Sequence, residues 1–146
     1  MDRLAIIGAA AIFLVSAAAA AAADDTAQTA VLVQRFEPFD QAAGDGWEAT
    51  TPDPLYLAAA TDKSAGAPLT LQPGAYRIVV LCNCNSMQVT LVGPDSATLP
   101  PERSDTHGAM YSLDVHAAGA YLAGIDMDDC AEKTCAIGVK VYRKKA

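Results

Sequence analysis

The residues best suited to chemistry in this chain are four cysteines, Cys82, Cys84, Cys130 and Cys135. Spaced as Cys-x-Cys and Cys-x4-Cys, they could pair as disulfides, hold a metal or exchange electrons. Structural zinc usually takes two Cys-x2–4-Cys pairs, and these spacings match that pattern poorly. Met87, Met110 and Met127 could add soft ligands for copper. Met87 and Met127 fall on apolar faces of alternating segments, however, where methionine fills a core. Working redox cysteines sit at helix N-termini with a depressed pKa, whereas Cys82-Asn83-Cys84 ends a strand-like run with no basic residue beside it. Structural disulfides are therefore expected at all four positions. Four cysteines allow three pairings. A Cys82–Cys84 bridge would close a very small, strained ring, so bridges running between the two pairs are favoured, each worth roughly 2–4 kcal/mol.

The other candidates are weaker. Asp126, Asp128 and Asp129 precede Cys130, and hard oxygens in a tight turn can bind calcium. The spaced Asp/Asn pattern with a glycine is missing, and a solvated acidic turn explains them as well. Ser104, Asp105 and His107 are close in sequence, but a nucleophile triad is a geometry and no Gly-x-Ser-x-Gly elbow accompanies them. His116, the second histidine, lies on the polar side of a strand. No pair of carboxylates placed for glycosidic cleavage can be identified. No catalytic residue and no cofactor is expected. Trp47 lies in the glycine-flanked stretch Gly44 to Glu48. It could stack on a ligand or plug the end of the fold, and the plug is favoured because aromatic rings bury most of their area.

The chain's opening sets the compartment these residues work in. Arg3 is followed by an apolar run from Leu4 to Val15, then Ser16 and alanines to Ala23, and Asp24-Asp25 ends it. A basic start, an apolar middle and small residues before the cut make an export signal. Cleavage is expected after Ala23, leaving residues 24–146 as one domain with 24–30 frayed at its start. A retained anchor fits less well, since the run's second half is alanine and no basic stop-transfer residues follow. No cysteine is available there for a lipid. The domain should therefore be periplasmic or secreted, with no membrane attachment after cleavage. A net charge of −7 argues against nucleic acid, which needs clustered Lys and Arg. The sole basic cluster, Arg143-Lys144-Lys145, reads as a solvated tail.

Positioning these residues falls to short strands. Tyr76 to Cys82 is rich in β-branched residues, and Met87 to Val92, Met110 to Val115, Tyr121 to Met127 and Ile137 to Tyr142 alternate apolar and polar. Shorter strands are expected at Val31–Val33, Pro54–Leu57 and Leu69–Leu71. Glu37 to Asp53, Asp62 to Pro68 and Leu99 to Gly108 read as connections, because proline, glycine and polar residues interrupt them. No long helix is expected after the leader. The class is all-β: a sandwich of about seven to nine short strands.

Two stretches echo each other. Gly74-Ala75-Tyr76, a strand, Cys82/Cys84 and the strand Met87 to Val92 match Gly119-Ala120-Tyr121, a strand, Cys130/Cys135 and the strand Ile137 to Tyr142. They read as two hairpins built alike, each entered through a glycine that permits the turn. Together with Met127, this pattern resembles small secreted bacterial proteins similar to the pre-peptidase C-terminal domain, over roughly Leu69 to Tyr142. The resemblance implies a jelly-roll β-sandwich and no activity. Asn85, Ser86 and Gln88 stand after the first cysteine pair where the similar proteins carry acids, which speaks against calcium there. The function expected is a non-catalytic module binding an exported protein or an envelope polymer, with Trp47, Tyr56 and Tyr142 as contact residues. The alternative is a periplasmic thiol-redox or metal-binding protein using the four cysteines.

Overall fold

The computed structural model describes residues 26–50 and 54–146. The expected signal peptide, residues 1–23, lies outside them. Helix α1 (Thr26–Ala43) and a short 3-10 turn at Gly44–Gly46 lead into ten strands. These are β1 (Trp47–Ala49), β2 (Leu55–Ala59), β3 (Ser64–Leu71), β4 (Gly74–Cys82) and β5 (Ser86–Val92), then β6 (Thr98–Leu99), β7 (Arg103–Asp105), β8 (Gly108–Val115), β9 (Gly119–Asp129) and β10 (Cys135–Lys144). One sheet runs β1-β10-β4-β8-β7, with β2 also on β10; the other runs β3-β9-β5-β6, and every ladder is antiparallel. β1 and β2 lie one after the other along the same edge of β10, against 142–144 and 135–139. We call the two sheets the β10 sheet and the β9 sheet.

The all-β class and the five principal strands agree with the alternation. Alternate residues of the two sheets meet in one core: Ile78, Val80, Tyr111, Ile137 and Val139 from the β10 sheet, and Ala67, Leu91, Ala123, Ile125 and Met127 from the β9 sheet. Met87 and Met127 fill this core as their faces predict. Tyr111 crosses it and donates its hydroxyl to the Val89 carbonyl at 3.2 Å. Three of the ten strands have only two or three residues and escape a pattern read over longer windows.

Several expectations need correcting. Val31–Val33 is helix, not strand, and lies inside the eighteen residues of α1. Leu32, Phe36, Phe39 and Ala43 recur at helical spacing and form one stripe against the outside of the β10 sheet. Over three residues, one buried Leu32 between exposed Val31 and Val33 satisfies a strand equally well. Pro38, read as a loop marker, sits within the helix, where it removes a hydrogen bond at a cost of about 3 kcal/mol. Thr26 to Ala30, expected to fray, are helical. β3 begins at Ser64 inside the supposed connection, and β7 interrupts the supposed loop from Leu99 to Gly108.

The two echoing segments are not hairpins. β4 belongs to the β10 sheet and its successor β5 to the β9 sheet; β9 and β10 make the reverse crossing. Each is an arch from one sheet to the other, and β4 pairs with β10 while β5 pairs with β9. The repeat is therefore expressed as two arches that embrace each other. Their leading glycines serve different ends. Gly74 has φ +153°, whereas a side chain on Gly119 would meet Pro94 Cγ at 2.5 Å.

Candidate functional site

Both arch tips carry cysteines, and both disulfides are local: Cys82–Cys84 and Cys130–Cys135. The favoured cross-pair bridges do not form. Each arch closes on itself, and hydrogen bonds join the two tips instead. The Asn83 N–H donates to the Ala136 carbonyl at 3.2 Å, the Ala136 N–H to Asn83 Oδ1 at 2.9 Å, and the Asn85 N–H to the Asp129 carbonyl at 3.1 Å. Asn83, the residue inside the small ring, thus does the joining that a cross-link was expected to do. No cysteine is free, and Cys82, Cys84 and Cys135 are buried. An attacking thiolate has little access to these sulfurs, which argues against exchange chemistry. Paired thiols also point to an oxidising compartment. Among the described residues, no helix is long and apolar enough to cross a membrane.

The expected contact aromatics sit under the helix. On β10, Ala136, Gly138, Lys140 and Tyr142 face away from the inter-sheet core, and α1 covers them. A side chain at Gly138 would lie 2.6 Å from Phe36 Cε2, so the glycine is the notch that seats the Phe36 ring. Tyr142 is buried and its hydroxyl donates to Asp40 Oδ1 at 2.6 Å. Lys140 Nζ meets the same oxygen at 2.6 Å, with the Phe36 and Tyr142 rings 5.9 and 5.5 Å away. Burial is the main reason Tyr142 holds its proton far above the ordinary tyrosine value; the hydrogen bond to Asp40 and that carboxylate's charge add to it. Trp47 and Tyr56 are half-buried against the same cluster, and the Arg77 guanidinium lies 4.3 Å over the Trp47 ring. Arg35 ties the helix to the first arch by donating to the Cys82 carbonyl. Trp47 therefore packs in the outer cluster beneath α1 and not at the end of the sandwich, and Tyr142 presents no ring to solvent.

The acidic candidates are spread apart. Asp126 and Asp128 lie on the outer side of β9, and strand alternation sends Asp129 to the other. Asp126 Oδ1 accepts from Ser64 Oγ at 2.6 Å. Among the described residues no three His, Cys, Asp or Glu side chains gather in a metal-holding group. Beside the first tip, where the Cys82 N–H donates to the His107 carbonyl, Asp105 Oδ1 accepts from the backbone N–H of His107 at 2.7 Å, so the carboxylate shapes a turn and leaves the imidazole to Thr106.

Among the described residues, a face that no sequence pattern singled out is left uncovered: the outer side of the β9 sheet. Its cross-strand rows are Ser64, Asp126 and Gln88; then Gly66, Gly124 and Thr90; then Pro68, Leu122 and Val92. The middle row is a shallow trough between a polar ridge and an apolar one, with Leu122 47% exposed. No contact among the described residues requires these glycines. Side chains at Gly66 and Gly124 would meet only ordinary contacts, at 3.5 and 3.7 Å. Such a face can lie flat against an extended or planar partner and offer it hydrogen bonds. No family model matches this chain, and no curated protein does.

Proposed function

We propose that this protein is an exported, disulfide-locked, non-catalytic module that binds another exported protein or an envelope polymer in the periplasm or outside the cell. The contrast between the two outer faces carries the reading. Among the described residues a helix covers one sheet and nothing covers the other, its middle row reduced to two glycines and a threonine. A bulge, a tight bend or the close approach of a ligand or another backbone are the usual reasons for an interior strand glycine, and the register through Gly66 and Gly124 is regular. The oxidised cysteines support an extracytoplasmic location, and the N-terminal pattern of a basic start, apolar middle and alanine end supports cleavage after Ala23.

The strand orders β2-β10-β4-β8 and β3-β9-β5-β6 support a jelly roll, in which two Greek keys fill two four-stranded sheets. That is the fold implied by the resemblance to the pre-peptidase C-terminal domain. The test is retention of envelope components on the immobilised, oxidised domain, with Leu122→Arg/Thr90→Arg set beside Ser112→Arg on the other sheet. Retention lost only with the first variant supports the open face as the contact. Retention unaffected by either variant, or lost equally with both, removes it.

A further inference from the structure

At the end of the sandwich opposite the disulfides, the two sheets part. Between β2, β3, β4 and β10 they leave a cavity of about 440 Å³. Its walls are core-facing side chains: Leu55, Leu69, Leu71, Tyr76, Val139 and Val141. Leu55 is left 43% exposed there. The inward row of β10 reads Ile137, Val139, Val141 and then Arg143. Alternation thus brings an arginine onto the apolar row where the sheet runs out. Arg143 is held in place: Nη2 donates to the Pro73 carbonyl at 2.8 Å, and the guanidinium stands 5.8 Å over the Tyr76 ring. Glu48 is its cross-strand neighbour on β1, yet among the described residues the one ion pair is Lys140–Asp40. A guanidinium offers five N–H donors in a fixed fork suited to a carboxylate, and a single carbonyl uses only part of that capacity.

We propose that this end cavity binds a single-chain anionic amphiphile, its alkyl chain lying between Leu69 and the β10 valines and its carboxylate on Arg143. The size and the mostly apolar walls with a few polar residues, Thr50, Thr70, Gln72 and the one charged group Arg143, are those of a small-ligand site. The site is independent of the open face of the β9 sheet, so either proposal can fail alone.

The test is calorimetric titration of the oxidised protein with decanoate below its micelle concentration, beside decyltrimethylammonium of equal chain length. Saturable one-to-one binding of decanoate, with the cationic analogue bound roughly tenfold more weakly or worse, is expected. Arg143→Gln should remove most of that preference, and Leu69→Trp, which fills the cavity from its rim, should abolish binding. Urea midpoints of both variants establish that they are folded; should one not fold, the other decides. Absence of saturable decanoate binding overturns the proposal. So do equal affinities for the two head groups, or binding that neither folded variant weakens.

Discussion

The outer faces of the two sheets solve opposite problems with similar material. On the β10 sheet a glycine is needed from within: Gly138 admits Phe36, and Lys140, Tyr142 and Asp40 share a polar contact beneath and beside the helix. On the β9 sheet, among the described residues, Gly66 and Gly124 seat no side chain of the chain's own. A glycine in a strand thus has two meanings, and only the atoms around its absent Cβ tell them apart.

The largest test of this contrast is Phe36→Ala against Leu122→Ala. The first empties a buried ring site and should lower unfolding free energy by about 3–5 kcal/mol. The second trims an exposed side chain and should stay within about 0.5 kcal/mol. Equal urea midpoints would mean that the helix adds nothing to the fold. Next, Asp40→Asn leaves Lys140 beneath the helix without its carboxylate. A loss of about 1–3 kcal/mol is expected, below the usual penalty for a broken buried pair because Asp40 is itself 44% exposed. A matched glycine series sharpens the point. Gly138→Ala should cost about 1–3 kcal/mol through overpacking. Gly66→Ala and Gly124→Ala should each gain about 0.5–1 kcal/mol, since alanine orders a strand at lower entropic cost. A loss at all three positions would end the distinction.

The smallest effect lies in alkaline solution. Burial raises the Tyr142 pKa above its ordinary value of 10.0, so the folded state keeps this proton more tightly than the unfolded state. Its contribution is complete below pH 10 and declines as pH rises past that value. Tyr111, also raised by burial, acts in the same sense. Urea midpoints between about pH 8 and 11 should therefore fall for the natural chain. They should fall less for Tyr142→Phe, which loses about 1 kcal/mol at neutral pH with its hydrogen bond.

The same contrast explains what was legible beforehand. Strands with one core face announce themselves by alternation, and β5, β8 and β9 did so. β10 alternates too, but its second face is buried by α1, an element the pattern does not reveal. The helix was hidden by Pro38 and by the short window Val31–Val33, although Leu32, Phe36, Phe39 and Ala43 carry its period. The cysteines were read correctly as disulfides and wrongly as cross-links, because nothing in their spacing tells that the arches swap sheets. The trough of Gly66, Gly124 and Thr90 and the end cavity with Arg143 both depend on register. They join residues more than fifty positions apart, which no local pattern contains.

β10 is buried along eight successive residues and is flanked by β4 on one side and by β1 and β2 on the other. Three strands of the sheet, β1, β2 and β4, thus await the segment made after all of them. A ribosome still holding residues beyond Cys135 holds a chain whose principal sheet is divided, with β1 and β2 parted from β4 and α1 without its Gly138 seat. Such a chain cannot complete its β10 sheet until synthesis has passed that point.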